Sequence, residues 1–151
     1  MLPAIALILT LCAAWLRWNL ATEGEMNSAR TESVRTAAEV TVSLLSYRSE
    51  TADTDLRAAE TRLTGTFREA YRSLIDEVVI PGAQQKQIVS TAAVPAASLV
   101  SINQNRSVVL VFVDQTITFG GEAPTQSASS VRVTLDKVDG QWLISDFAPI
   151  R

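Results

Sequence analysis

VRVTLDKVDGQWLIS, residues 131–145, is the stretch that decides the fold. Two runs of alternating apolar and polar residues flank Asp139-Gly140, a pair typical of a two-residue type I′ turn between antiparallel strands. That turn sets the register of the hairpin, which places Val138 opposite Gln141, Lys137 opposite Trp142 and Leu135 opposite Ile144.

This register gives the hairpin two unlike faces, because side chains alternate along a strand. The face that packs on the core carries Val131, Val133, Leu135, Trp142 and Ile144. The opposite face is polar with an apolar end, formed by Val138, Leu143 and Phe147. These three side chains are therefore candidate contacts with a partner protein or a second copy, unless a terminal segment covers them.

Two further strands are predicted upstream of the hairpin. Residues 107–119, SVVLVFVDQTITF, are apolar on both faces in their first half, which suits a central strand covered on both sides. Residues 87–102 form a weaker strand, in which Pro95 indicates an edge position or a bulge. A turn at 103–105 and a loop at 120–127 complete a sheet of about four antiparallel strands.

Helices precede the sheet. Residues 27–47 have helical spacing, with Asn27 or Ser28 as N-cap, and a short helix is predicted over 54–63. Residues 66–79 form the clearest amphipathic helix, which Pro81-Gly82 ends or kinks. Its apolar stripe is Phe67, Ala70, Tyr71, Leu74, Ile75, Val78 and Val79. Helices packed on one face of a curved sheet make an α+β domain, with this helix against Trp142 and Ile144.

The first sixteen residues carry no charged side chain. A membrane-spanning helix needs about 20 mostly apolar residues. Trp15 and Trp18 suit an interfacial position and Arg17 can reach the headgroups. We therefore predict a transmembrane anchor at 1–21, a connector with the first domain helix at 22–48, and the rest of one extracytoplasmic domain at 49–151.

Two alternatives to an anchor are weaker. A cleaved signal peptide requires a basic start, whereas only the amino terminus is charged here, and it requires small residues before the cut, a region that Trp15 and Trp18 interrupt. A lipoprotein signal would acylate Cys12, but Leu11 is too large for the position before it. The positive-inside rule slightly favours the opposite orientation, since Arg17 follows the run and no basic side chain precedes it. A natural start further upstream, with a basic tail, would explain this.

Composition excludes several classes of function. The net charge of −3 and the absence of a basic cluster argue against nucleic-acid binding. The chain has no histidine and one cysteine, so no cofactor, metal site or intramolecular disulfide is predicted. Asp114, Tyr47 and Tyr71 are the candidates for acid–base chemistry. The simpler interpretation is that Asp114 lies where the strand emerges into solvent and that Tyr71 belongs to the core. We therefore do not expect an enzyme.

An ordered set of segments then points to a family. It comprises Thr64-Gly65-x-Phe67-Arg68-x-x-Tyr71, Val78-Val79-Ile80-Pro81-x-Ala83, the strand from Val108 to Thr116, and the hairpin from Arg132 to Asp146. Together with the amino-terminal span, this set resembles the Mce-associated membrane proteins of mycobacteria and related actinobacteria over about residues 27–150. The resemblance implies a ketosteroid-isomerase-like or cystatin-like cone, similar to the periplasmic scaffold domains of type IV secretion systems.

The resemblance also implies a role. Family members accompany Mce systems, which import lipids across the envelope, so the expected partners are the permease and the Mce proteins. We expect a non-catalytic accessory subunit that crosses the inner cell membrane once. The resemblance does not decide whether the protein forms a homo-oligomer. The alternative is a lipid- or sterol-binding carrier with an apolar pocket lined by Phe67, Tyr71, Leu110, Phe112, Val133 and Trp142. The sequence does not choose, because the same side chains could fill the pocket.

Overall fold

The computed structural model describes the backbone of residues 2–151 and the side chains of residues 8–151. The helices are α1 (Leu2–Leu45), α2 (Ala52–Glu60), α3 (Gly65–Leu74) and α4 (Ile80–Lys86), with a π-helical turn at Ile75–Val79 between the last two. The strands are β1 (Ile88–Ile102), β2 (Arg106–Phe119), β3 (Thr125–Val138) and β4 (Gln141–Ile150). They form one antiparallel sheet in the order β1-β2-β3-β4, which confirms the predicted α+β class.

Helix α1 runs without a break through the predicted connector, so the N-cap predicted at Asn27 or Ser28 is wrong. No proline interrupts residues 18–31, and nothing crowds Gly24. The hydroxyl groups of Thr22 and Thr31 donate to the carbonyl groups four residues earlier, those of Trp18 and Asn27, so this stretch bonds as helix interior.

The carboxyl-terminal half of α1 packs on the sheet through small side chains. Its buried stripe is Ser33, Thr36, Ala37, Val40, Thr41 and Leu44. The Ser107 hydroxyl on β2 donates to the Ser33 hydroxyl at 2.9 Å, and both side chains are buried. Small residues let the helix approach the sheet closely, and this one hydrogen bond satisfies both hydroxyl groups at the point of contact.

The amino-terminal half of α1 packs on nothing in the described chain. Seven large apolar side chains there are 55–79% exposed: Ile8, Leu9, Leu11, Trp15, Leu16, Trp18 and Leu20. Within the part of the chain that the structure describes, no helix is both long and apolar enough to cross a membrane. The anchor predicted at 1–21 begins in residues 1–7, whose side chains lie outside that part.

The helix predicted at 66–79 continues through Pro81 to Lys86, because the π-helical turn accommodates the proline. In that turn the Ile80 N–H donates to the Ile75 carbonyl, five residues back instead of four. Tyr71 and Ile75 are buried as predicted. Ala70, Leu74 and Val78 lie on the flank and are exposed, so their predicted core position is wrong, and Ile80 and Ala83 are buried instead.

Strand β2 is central, but only one of its faces is covered. Val109, Val111 and Val113 are buried under the helices. Phe112, on the opposite face, is 41% exposed, so the prediction that both faces are covered is wrong. The helices contribute their buried side chains to one layer, which leaves the second face of the sheet open.

The bulge predicted at Pro95 is confirmed. The pairing of β1 with β2 shifts between Ala93 and Ala96, and β1 is an edge strand. Proline lacks the N–H group that a regular ladder requires, so the shift places it where no such bond is needed.

Backbone bridges tie the helical layer to both edges of the sheet. Tyr47, after α1, exchanges two hydrogen bonds of 2.9 Å with Ser90 on β1. At the other edge, the Ile144 N–H donates to the Arg62 carbonyl and the Thr64 N–H donates to the Ile144 carbonyl. Each bridge pairs backbone N–H and C=O groups of an edge strand that would otherwise have no hydrogen-bond partner in the sheet.

A buried carboxylate joins α2 to α3. The Glu60 side chain, only 8% exposed, accepts a hydrogen bond from Arg72 Nε at 2.8 Å and a longer one from Arg68. The Arg72 guanidinium is the main reason that the pKa of Glu60 lies below its usual value. Arg57 adds a second link at 2.8 Å to Asp76, at the start of the π-helical turn.

We expect Leu63→Ala to lower the free energy of unfolding by about 2–5 kcal/mol, because it leaves a cavity beside the bridge to Ile144. Leu74→Ala, the same change at a half-exposed site on α3, should cost less than about 1 kcal/mol. Urea denaturation of the full chain in mild detergent, followed by circular dichroism, measures both. Equal losses would show that the α2–α3 loop does not pack as described.

We expect Glu60 to make stability depend on pH in the acid range. Its folded-state pKa lies below the unfolded value of about 4.3, so its stabilisation is complete above that value. It is lost as the pH falls through the folded-state pKa. Melting temperatures measured from pH 7 to pH 3 should therefore fall less steeply for Glu60→Gln than for the natural chain or for Glu69→Gln, which alters an exposed carboxylate. Parallel curves would contradict this.

Candidate functional site

The space between the helices and the sheet is filled by aromatic side chains. Phe67 on α3 lies 6.3 Å, centroid to centroid, from both Tyr71 and Phe147. Trp142 is 3% exposed and Val133 is fully buried. The Tyr71 hydroxyl points to the Leu44 carbonyl at 3.5 Å, and burial, with Glu60 nearby, raises the pKa of Tyr71.

The apolar pocket predicted from the sequence is therefore not assembled. Phe67, Tyr71, Val133 and Trp142 belong to the core side of the sheet, where they pack on other buried residues. Leu110 and Phe112 alternate with the buried Val109, Val111 and Val113, so they lie on the opposite face. The prediction that Leu110 and Phe112 line the same pocket is wrong. A count of alternate positions along β2 would have separated them.

A bulge at Ser145 moves Phe147 to the core face. Thr134 pairs with Asp146, whereas Leu135 pairs with Ile144, so Ser145 has no partner in the ladder. The extra residue inverts the alternation beyond it, and Phe147 then pairs with Val133. The prediction that Phe147 is a surface contact is wrong, because its ring stacks on Phe67.

The other two candidate contacts lie on the predicted face. The hairpin register is confirmed as far as Ile144, with positive φ at both Asp139 and Gly140. Leu143, opposite Asp136, is half-buried, and Val138 is 37% exposed.

The side chains considered for acid–base chemistry are separated by the sheet. Asp114 is exposed on the open face, whereas Tyr71 is buried on the core face. Tyr47 is half-buried at the β1 edge, where burial raises its pKa. Among the described residues, no three His, Cys, Asp or Glu side chains lie close enough together to hold a metal ion.

The indole of Trp142 is held from one side by a cation. Lys137 Nζ, directly across the hairpin, lies 5.4 Å from the ring centroid. The Trp142 Nε1–H group is buried and has no acceptor in the described chain. The polar cleft beside it is lined by Arg35, Thr36, Arg62 and Gln141, among others, so the tryptophan closes the end of the core.

The open face of the sheet carries a surface that sequence reasoning missed. We call it the outer patch: Ala96, Leu110, Phe112, Ala148 and Ile150. Phe112 and Ile150 are 41% and 49% exposed. The residues come from β1, β2 and β4 and occupy two neighbouring rows across the sheet. The alternation of β2 was visible in the sequence, but the absence of a covering helix was not.

The bare half of α1 holds the predicted interface residues. Trp15 and Trp18 are 67% and 79% exposed and, three residues apart, lie on the same side of the helix. Arg17 is also exposed. Nothing in the described chain covers these three side chains.

Comparison with known proteins covers nearly the whole chain. A family described as "Uncharacterized protein Rv1363c/MT1408-like" matches residues 2–149. "Outer membrane protein Rv1973" of Mycobacterium tuberculosis (strain ATCC 25618 / H37Rv) is 55% identical over 150 residues, 99% of this chain and 94% of the relative. "Uncharacterized protein Rv1362c" of the same strain is 41% identical over 125 residues, 82% of this chain and 57% of the relative.

Solved structures share the fold at low identity. An IcmL-like type IV secretion system protein from Legionella pneumophila has a TM-score of 0.67 at 11% identity, over 81% of this chain and 94% of its own. The VirB8 protein of Agrobacterium tumefaciens has 0.62 at 14%, over 77% and 88%. An NTF2-like protein with a cystatin-like fold from Novosphingobium aromaticivorans has 0.60 at 14%, over 87% and 86%. The predicted cystatin-like cone is thereby confirmed.

We expect Phe147→Ser to destabilise the chain by about 2 kcal/mol or more, because it removes the ring that stacks on Phe67. Leu143→Ser, on the open face, should cost clearly less. Thermal unfolding of the two variants measures the difference. If Leu143→Ser proved the more damaging, the bulge at Ser145 would be misplaced.

Proposed function

This chain belongs to the Rv1363c/MT1408-like family, and from that premise we propose that it is a non-catalytic accessory protein of the cell envelope. Its specific role is to support the assembly or stability of an Mce-type lipid transporter. It acts through its surfaces and carries out no reaction of its own.

The observation that carries this proposal is the form of α1. One end of the helix exposes seven large apolar side chains, and the other end is built into the core of the domain. Exposed apolar side chains grouped on one segment mark a surface that binds a membrane or a partner. Because the helix is continuous, whatever holds its first half also positions the domain.

The filled interior argues in the same direction. A carrier requires a cavity lined by apolar side chains. Here Phe67 contacts both Tyr71 and Phe147 between the helix and the sheet. The core aromatic residues stabilise the domain, and its surfaces are left for binding.

Two comparisons support a place in the envelope. A relative that is 55% identical over almost the full length carries the name outer membrane protein. Secretion-system proteins share the fold, which is support at the level of architecture only. The proposal names an Mce-type transporter because the sequence resembles Mce-associated membrane proteins.

We place the protein in the inner membrane, with a single span at residues 1–21 and the domain outside the cytoplasm. Trp15 and Trp18 would lie at the interface, with Arg17 among the headgroups. The name of the relative points to the outer membrane, so fractionation of the two membranes separates the two locations.

The partners that we propose are the permease and Mce proteins of one transporter. The contact on this chain is the hairpin end of the open face, where Val138 and Leu143 remain partly exposed. Leu143 lies in the row of the ion pair between Arg106 and Asp136, and Val138 lies one row further from the outer patch.

The test is a pull-down of the tagged full chain from the membranes of a host with Mce systems, in mild detergent, followed by mass spectrometry. Permease and Mce subunits should be enriched at least about tenfold over an untagged control, and in the inner-membrane fraction. Replacing both Val138 and Leu143 with serine should reduce that enrichment.

Val100→Ser is the matched control, because Val100 is 61% exposed on β1, which pairs with neither strand of the hairpin. It should leave the enrichment unchanged. A protein that purifies alone with a stoichiometric lipid would replace the accessory role with that of a carrier. Recovery from the outer membrane would exclude the proposed location.

A further inference from the structure

The outer patch is the apolar surface of the domain that the fold leaves uncovered. In the sheet register, Ala96, Phe112, Ser130 and Ile150 form one row across the four strands. Leu110 and Ala148 lie in the next row, roughly 7 Å along the strands. Phe112 and Ile150, two strands apart, form with Leu110 and Ala148 in the next row an apolar patch of the kind found at contact surfaces.

Two unpaired charges flank the Phe112 row. Arg132 lies one row to one side of it, in the row of Leu110, and Asp114 lies one row to the other side. Neither has an ion-pair partner in the described chain. Further along the same face, by contrast, Arg106 and Asp136 pair at 2.8 Å.

This arrangement is complementary to itself. A two-fold axis along the Phe112 row exchanges the rows on its two sides, so that Arg132 of one copy lies over Ala128 of the other, one strand (about 4.8 Å) to the side of Asp114, twice. Sheets stack about 10 Å apart, a gap that these side chains can bridge. Asp146, two rows from the axis, would meet the row of Thr116, which carries no charge.

We propose that the outer patch is the interface between two copies of this chain. The two sheets pack face to face, with Phe112 against Phe112 at the centre and two Arg132–Asp114 pairs at the sides. The dimer leaves the bare half of α1 outside the interface. It does not depend on the identity of any other partner.

Cysteine cross-linking of the full chain in membranes tests the dimer. In a Cys12→Ser background, Ser130→Cys lies on the axis, and a short bismaleimide should join two copies. Ser73→Cys, exposed on α3, is the matched control and should give at most about one tenth of the product. Phe112→Asp in the Ser130→Cys chain should abolish the product.

Charge reversal makes the test specific. Arg132→Asp and Asp114→Arg should each reduce the cross-linked fraction about tenfold, because each places like charges beside one another twice. The double variant restores opposite charges and should recover most of the product. Melting temperatures of all variants show whether each remains folded.

Three results would overturn the proposal. The first is equal cross-linking of Ser130→Cys and Ser73→Cys. The second is a double reversal that remains as weak as the single ones while the chain is folded. The third is a product whose mass includes a different protein, which would make the outer patch the site of that partner.

Discussion

The backbone bridges at the two edges of the sheet are the constraint on which the rest of the structure depends. Tyr47 pairs with Ser90 at one edge, and residues 62–64 pair with Ile144 at the other. Both bridging segments belong to the helical layer, so the helices must lie across a single face. The core is consequently one-sided, and the helices leave the second face of the sheet uncovered.

This one-sidedness separates the chemistry of the chain into two regions. Phe67, Tyr71 and Trp142, which were predicted to line a pocket, fill the space under α1 and α3. Asp114 and Arg132 are left exposed on the other side of the sheet.

The sequence predicted what short-range rules determine. Asp139-Gly140 fixed the hairpin register, and Pro95 marked the bulge in an edge strand. The errors that follow have a common physical origin, because one inserted residue shifts the periodic pattern of the residues after it. One extra residue at Ser145 turned Phe147 inward, and the π-helical turn at Ile75–Val79 shifted the helical spacing beyond it, so that Ile80 and Ala83 are buried. The bulge at Ser145 has no composition signal, whereas Pro81 follows the π-helical turn.

Leu110 and Phe112 were misplaced for another reason. A strand with apolar residues at both odd and even positions has the same sequence pattern whether or not a second layer of structure covers its outer face. The number of helices available to cover the sheet decides between the two cases, and α1 had been divided at residue 27 where it is in fact continuous.

The continuity of α1 has a geometric consequence for the orientation of the domain. Sixteen residues separate Arg17 from Ser33, the first buried side chain, which is about 24 Å of straight helix at 1.5 Å per residue. Each residue also turns the helix by about 100°. The number of residues between Arg17 and Ser33 therefore sets the direction in which the open face of the domain points. Insertion of one residue in this segment would swing the open face through more than a quarter of a circle, while lifting it by only about 1.5 Å.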